Sequence, residues 1–122
     1  MLRMDHVLGE VHSVTLFSLQ DEVTEEQWQN AVAELEEMWA SIPEVKSWII
    51  GRNRLNHAQS CGFSHLLMLE FADEQAWKTY MVNPVHHEVA RRTLVPMYTQ
   101  RAAGVLRDEQ HERSVTMGGH DN

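Results

Sequence analysis

Tyr80, His86 and His87 flank a proline in the stretch YMVNPVHHEVARRTL, residues 80–94. An unperturbed imidazole titrates near pH 6.5 (roughly), so His86 is a candidate general base at neutrality. A phenol hydroxyl can donate to an oxygen on which negative charge develops, which makes Tyr80 a candidate oxyanion stabiliser. The competing readings are structural: an early-helix histidine satisfied by backbone or water, and a tyrosine at the edge of an amphipathic core. Pro84 lacks an N–H and clashes with a preceding helical turn, so it ends one helix. Asn83 is a favoured N-cap and Pro suits the first helical position, so the same dipeptide starts another. Six residues apart on one straight helix, Tyr80 and His86 stand more than a turn from each other. A break lets the chain turn and bring both to one spot. His87 points to a different side of its helix and reads as solvated.

His65 falls on the apolar face of a strand, where a histidine is by default a core residue with one bonded nitrogen. Its functional version points into the same pocket and orients His86 or a substrate oxygen. His12, His57, His65, His86 and His87 invite a metal reading, but no pair has i, i+4 spacing. Cys61 has no C-x-x-C partner, so no metal site is expected. There is no Gly-rich phosphate loop, no G-x-S-x-G and no nucleotide fingerprint, and no cofactor is expected. Candidate ligand-binding residues are Ser13, Thr15 and Phe17 on the first strand, with Trp28 and Trp48. Trp39 and Trp77 follow the core periodicity. Arg91, Arg92 and Arg101 could hold a carboxylate, although solvated charge is the commoner explanation.

The elements that must position these groups are legible. VHSVTLFSL (residues 11–19) is rich in β-branched and large apolar residues and reads as a strand. Thr24 and Gln27 form a capping box, and Trp28, Ala31, Val32, Leu35, Met38, Trp39 and Ile42 recur at helical spacing until Pro43. Residues 45–54 read as a second strand, LNHAQSCG as a polar loop, and residues 63–71 as a third strand. The third strand places Phe63, His65, Leu67, Leu69 and Phe71 on one face. A short helix runs through Trp77 and Tyr80, another spans about Val89 to Val95, and residues 99–107 form the last strand. The order β-α-β-β-α-β implies an α+β, ferredoxin-like fold with an antiparallel sheet.

The chain has 122 residues with 43% hydrophobic content, enough for one domain. Residues 1–10 read as an N-terminal extension, 11–108 as the domain, and 109–122 as a disordered tail without an apolar face. A net charge of −8 argues against nucleic acid or an anionic membrane as partner. The single cysteine fits a reducing, cytoplasmic location, and no segment has the length of a membrane span. Ser13, Thr15, Phe17 and Leu19 alternate with Val14 and Leu16, so both sides of the first strand carry apolar groups. Soluble monomers rarely expose so much apolar surface, and a homodimer packed sheet to sheet is expected.

The stretches EVTEEQW, IPEVKSWIIGRN, GFSHLLMLEFAD and YMVNPVHHEV follow the order and spacing of the stress-responsive, dimeric α/β-barrel (Dabb) domain. Typical pieces of that family read G-Y-T-H before the third strand and Y-x-x-H-P-x-H at the helix break. The chain resembles it from about Val11 to Asp108. The resemblance implies a ferredoxin-like subunit whose sheet pairs with its twin to form a barrel, with a pocket in each subunit. The family includes plant olivetolic acid cyclase-type polyketide cyclases, which are cofactor-free and close a ring by aldol condensation. Their catalytic tyrosine and histidine match Tyr80 and His86, and the third-strand histidine matches His65. Two positions depart: Asn83 stands where the family often has His, and the first-strand histidine aligns with Ser13. His12 lies one place earlier and so points to the opposite face.

The expected function is a cofactor-independent cyclase, isomerase or lyase acting on a small carbonyl compound. The alternatives are a non-catalytic stress protein that binds an apolar metabolite, and a cofactor-free monooxygenase. Convergence of Tyr80 and His86 on one enclosed cavity separates the first from the others.

Overall fold

The structure, a computed structural model, describes residues 9–55 and 57–109. Most of the N-terminal extension and of the C-terminal tail lies outside the described residues. In chain order the elements are β1 (Val11–Leu19), α1 (Glu25–Ser41), β2 (Val45–Arg52), α2 (His57–Ser60), β3 (His65–Phe71), α3 (Glu74–Met81), α4 (Pro84–Thr93) and β4 (Tyr98–Arg107). One 3₁₀ turn, Val95–Met97, joins α4 to β4. The strands form one antiparallel sheet in the order β2-β3-β1-β4. This is the expected ferredoxin-like α+β fold, with its second helix divided at Asn83-Pro84.

Helix α1 starts where its capping box does. Thr24 Oγ1 accepts from the Gln27 N–H at 3.1 Å, and Gln27 Oε1 accepts from the Thr24 N–H at 2.9 Å. Glu25 and Glu26 sit in the first turn, where the helix dipole favours negative charge. The helix buries Trp28, Ala31, Leu35, Met38 and Trp39. Against them lie Val11 and Phe17 of β1 and Leu67, Leu69 and Phe71 of β3, which close the core. Fully burying a side chain of this kind contributes about 1.5–3 kcal/mol.

Register decides which side chains meet the helices. On that face Ser13 lies beside Leu69 and Val105, Thr15 beside Leu67 and Ala103, and Phe17 beside His65 and Arg101. The opposite face carries no helix and stays apolar: Ile49 is 67% exposed, Met68 38% and Leu106 64%.

Element limits differ from the sequence reading in three places. Strand β2 stops at Arg52 and β3 begins at His65, because Asn53 turns the chain. Its side-chain amide donates to the Phe63 carbonyl at 3.0 Å, and its Oδ1 accepts from the Leu55 N–H at 2.9 Å. The polar loop holds the short α2. Helix α4 begins at Pro84, well before Val89, because the Asn83 cap operates at once.

Candidate active site

The break between α3 and α4 builds the site. Asn83 Oδ1 accepts from the Val85 N–H at 2.8 Å and the His86 N–H at 3.3 Å, so α4 starts with both histidines in its first turn. The chain turns there, and the last carbonyls of α3 face the start of α4. His86 Nδ1 lies 3.3 Å from the Tyr80 carbonyl oxygen, and His87 Nε2 lies 2.6 Å from that of Met81. A carbonyl oxygen only accepts, so His86 carries its hydrogen on Nδ1 and keeps a lone pair on Nε2. For the same reason His87 donates from Nε2.

The rings of Tyr80 and His86 stack with centroids 4.0 Å apart and 13° between planes, and His87 stacks on His86 at 5.0 Å. Tyr80 is only 4% exposed and packs on Phe71. Its hydroxyl accepts from Trp39 Nε1–H at 3.1 Å, which leaves the hydroxyl hydrogen for another acceptor. Burial pushes the phenol up to about 12, opposed by the Trp39 hydrogen bond, so it stays protonated at neutral pH. Burial pulls His86 down to about 4, helped by His87, so its imidazole is neutral.

Both residues line one cavity of about 300 Å³ between the sheet and α3–α4. Ser13, Thr15 and Ala103 contribute from the strands, Trp39 and Trp77 from the helices, and Leu94 from the end of α4. A larger, more open depression of about 770 Å³ lies between Gln20, Cys61 and Gln100 and contains none of the candidate residues. Convergence at the cavity and the chemistry of Tyr80 and His86 single out the smaller space.

The other candidates separate. Ser13 and Thr15 reach the cavity lining; Phe17, Trp28, Trp48 and His65 lie outside it. His65 is 3% exposed, with Nδ1 2.7 Å from Ser64 Oγ and Nε2 buried without a partner among the described residues. Trp28 of α1 packs on its ring at 4.5 Å and Phe17 at 5.7 Å, which closes this row as core. Burial, followed by the nearby Arg52, lowers the His65 pKa. Trp48 donates from Nε1 to Glu36 Oε2 at 3.2 Å and rests against Trp39.

Three lining residues go beyond the sequence reading. Trp39 and Trp77 follow the core period, yet each also faces the cavity. His87 is exposed, as expected, and its ring also borders the cavity because it reaches back to α3. Among the described residues, Glu10, His12 and Glu70 are the one set of potential metal ligands close enough to share an ion. Lys46 Nζ already donates to Glu10 at 2.7 Å and Ser47 Oγ to Glu70 at 2.6 Å, and none of these side chains lines the cavity.

Comparison with known proteins agrees with this architecture. The sequence matches the stress responsive A/B barrel domain over residues 11–103. No curated protein matches it. Among solved structures, a dimeric ferredoxin-like protein of unknown function from Thermobifida fusca is 22% identical, with a TM-score of 0.68 over 81% of this chain and 91% of that one. Hydroxynitrile lyase from Passiflora edulis is 17% identical, with a TM-score of 0.74 over 85% of this chain and 97% of the lyase. SnoaB, a cofactor-independent oxygenase from Streptomyces nogalater, is 18% identical, with a TM-score of 0.66 over 84% of this chain and 95% of the oxygenase. At such identities the likeness is one of fold. Matched over most of its length, the chain belongs to the stress-responsive A/B barrel (Dabb) domain family.

Proposed function

We propose that this chain is a cofactor-independent enzyme of the cyclase, isomerase or lyase kind, acting on a small carbonyl compound, with His86 as base and Tyr80 as oxyanion donor. The observation that carries this reading is that Tyr80 and His86 line one cavity while, among the described residues, the hydrogen on Tyr80 and the lone pair on His86 Nε2 are both unused. A substrate carbonyl oxygen accepts from the Tyr80 O–H. His86 Nε2 takes the proton from the adjacent carbon, and the C–H electron pair moves into the enolate. The Tyr80 backbone carbonyl, already bonded to Nδ1–H, stabilises the imidazolium that results. Returning the proton from His86 to a different carbon gives an isomerisation. Departure of a group on the β carbon with its electron pair, protonated by His86, gives an elimination. Attack by the enolate on a second carbonyl, whose oxygen takes the proton from His86, closes a ring. His65 takes no step in this reading.

The working unit is a homodimer. Support comes from the bare apolar face around Ile49, Met68 and Leu106 and from solved relatives described as dimeric. Sheet-to-sheet pairing covers that face, and sedimentation should give twice the 14.1 kDa chain mass. The single cysteine fits a cytoplasmic location; no described helix is long and apolar enough to cross a membrane.

One observation favours a second reading, a binding protein without catalysis. An imidazole held near 4 is a weak base at neutral pH. Incubation with diketones, triketones and cyanohydrins, followed by mass spectrometry, separates the two. Product formed by the wild type but lost in H86A supports the enzyme. Saturable binding without product, unchanged in H86A, supports the binder.

A further inference from the structure

Building on that proposed carbonyl chemistry, we infer that the ligand of this cavity is an anion, a small carbonyl compound bearing a carboxylate, and that Arg101 selects it. Arg101 stands on the helix-facing side of β4, opposite Phe17, two residues from Ala103, and lines the cavity. The chain carries 18 acidic residues, yet among the described residues no Asp or Glu lines this space, and Arg101 is its one permanently charged side chain.

The state of the other cations sharpens the point. Lys46, Arg52, Lys78, Arg91, Arg92 and Arg107 each stand within ion-pair distance of a carboxylate. Among the described Lys and Arg residues, only Arg54 and Arg101 have none, and Arg54 lies outside the lining in the turn after β2. In a protein of net charge −8, a guanidinium left without an acidic neighbour at an apolar cavity is a local exception. Its planar fork matches a carboxylate through two parallel hydrogen bonds.

The remaining polar groups suit the same ligand. The Tyr80 hydroxyl hydrogen is unused, and the Trp77 indole N–H is buried without a partner among the described residues. A lining with surplus donors and no carboxylate fits an acceptor-rich molecule. At about 300 Å³ the cavity is at the low end of ligand sites, which run from roughly 300 to 1,000 Å³. A short alkyl or single-ring oxo acid is the matching size.

A matched pair of probes tests this without turnover: 3-benzoylpropanoate and its neutral amide, titrated at pH 7 against the emission of the cavity tryptophans. The acid should bind about tenfold more tightly than the amide, the lower end for a charge-assisted hydrogen bond because Arg101 is exposed. In R101Q, with its fold checked by circular dichroism, the two should bind alike, and R101K should retain part of the preference. Equal binding of the pair by the wild type, no saturable binding of the acid, or a preference that survives R101Q would overturn the assignment. The proton-transfer reading fails separately, when H86A and Y80F leave turnover of neutral carbonyl compounds unchanged.

Discussion

Replacing His86 with Gln should flatten the acid side of the stability profile. Burial holds the folded imidazole near 4 against 6.5 for the free group. A depressed histidine pKa means that the unfolded chain binds more protons between these values, so stability falls as pH drops through that window. Above the unfolded value both states are neutral and the effect is fully present as stability. At about 1.36 kcal/mol per unit the unscreened ceiling is roughly 3 kcal/mol. His86 is only partly buried, and allowance for solvent screening leaves about 1–2 kcal/mol. The lowered His65 acts in the same direction but is common to both proteins and cancels. Urea denaturation of the wild type and H86Q from pH 7.5 to 4.5 measures the difference. The wild type should lose about 1–2 kcal/mol more than the variant across that range. Parallel profiles would refute the buried, neutral, Nδ1-protonated histidine from which the chemistry is derived.

Three further outcomes follow from single contacts. Tyr80→Phe leaves the buried Trp39 N–H without its acceptor and should cost about 1–3 kcal/mol in urea denaturation; an unchanged midpoint would show that this bond does not hold the phenol. Asn83→Ala removes the cap of α4 and should cost about 1 kcal/mol while weakening probe binding, since the same cap places His86; intact binding would separate the two. Ile49→Asp puts a charge on the bare sheet face, on its edge strand β2, and should shift the proposed dimer to monomer at micromolar concentration in sedimentation runs, whereas an unaltered dimer would locate the interface elsewhere.

Local chemistry made most of the fold legible. The Thr24–Gln27 box, the helical recurrence from Trp28 to Ile42, and the β-branched β1 are each specified within a few residues. Asn83-Pro84 likewise announced both the end of α3 and the start of α4. What escaped depends on partners distant in sequence. Alternation along β3 put His65 on the helix-facing side, but only the docking of α1 decides that Trp28 covers it. The place of Arg101 follows from β1–β4 register, which nothing in the last strand reveals. His87 is exposed, as its place on α4 implied, but helical spacing within α4 says nothing about the α3 carbonyls beside it, so its contact with Met81 and the cavity went unread.

Hydrogen–deuterium exchange tests the central claim most directly, because it requires only the first proton transfer and no knowledge of the product. Proton NMR in D₂O follows loss of the signal α to the carbonyl in 3-benzoylpropanoate and its amide with wild type, H86A and Y80F. The wild type should accelerate exchange over buffer, H86A should lose about 10²–10⁴-fold of that acceleration, and Y80F should be slowed as well while keeping its fold. Exchange by the wild type at the buffer rate, or equally fast exchange in both variants, would contradict a base and an oxyanion donor acting together in this cavity.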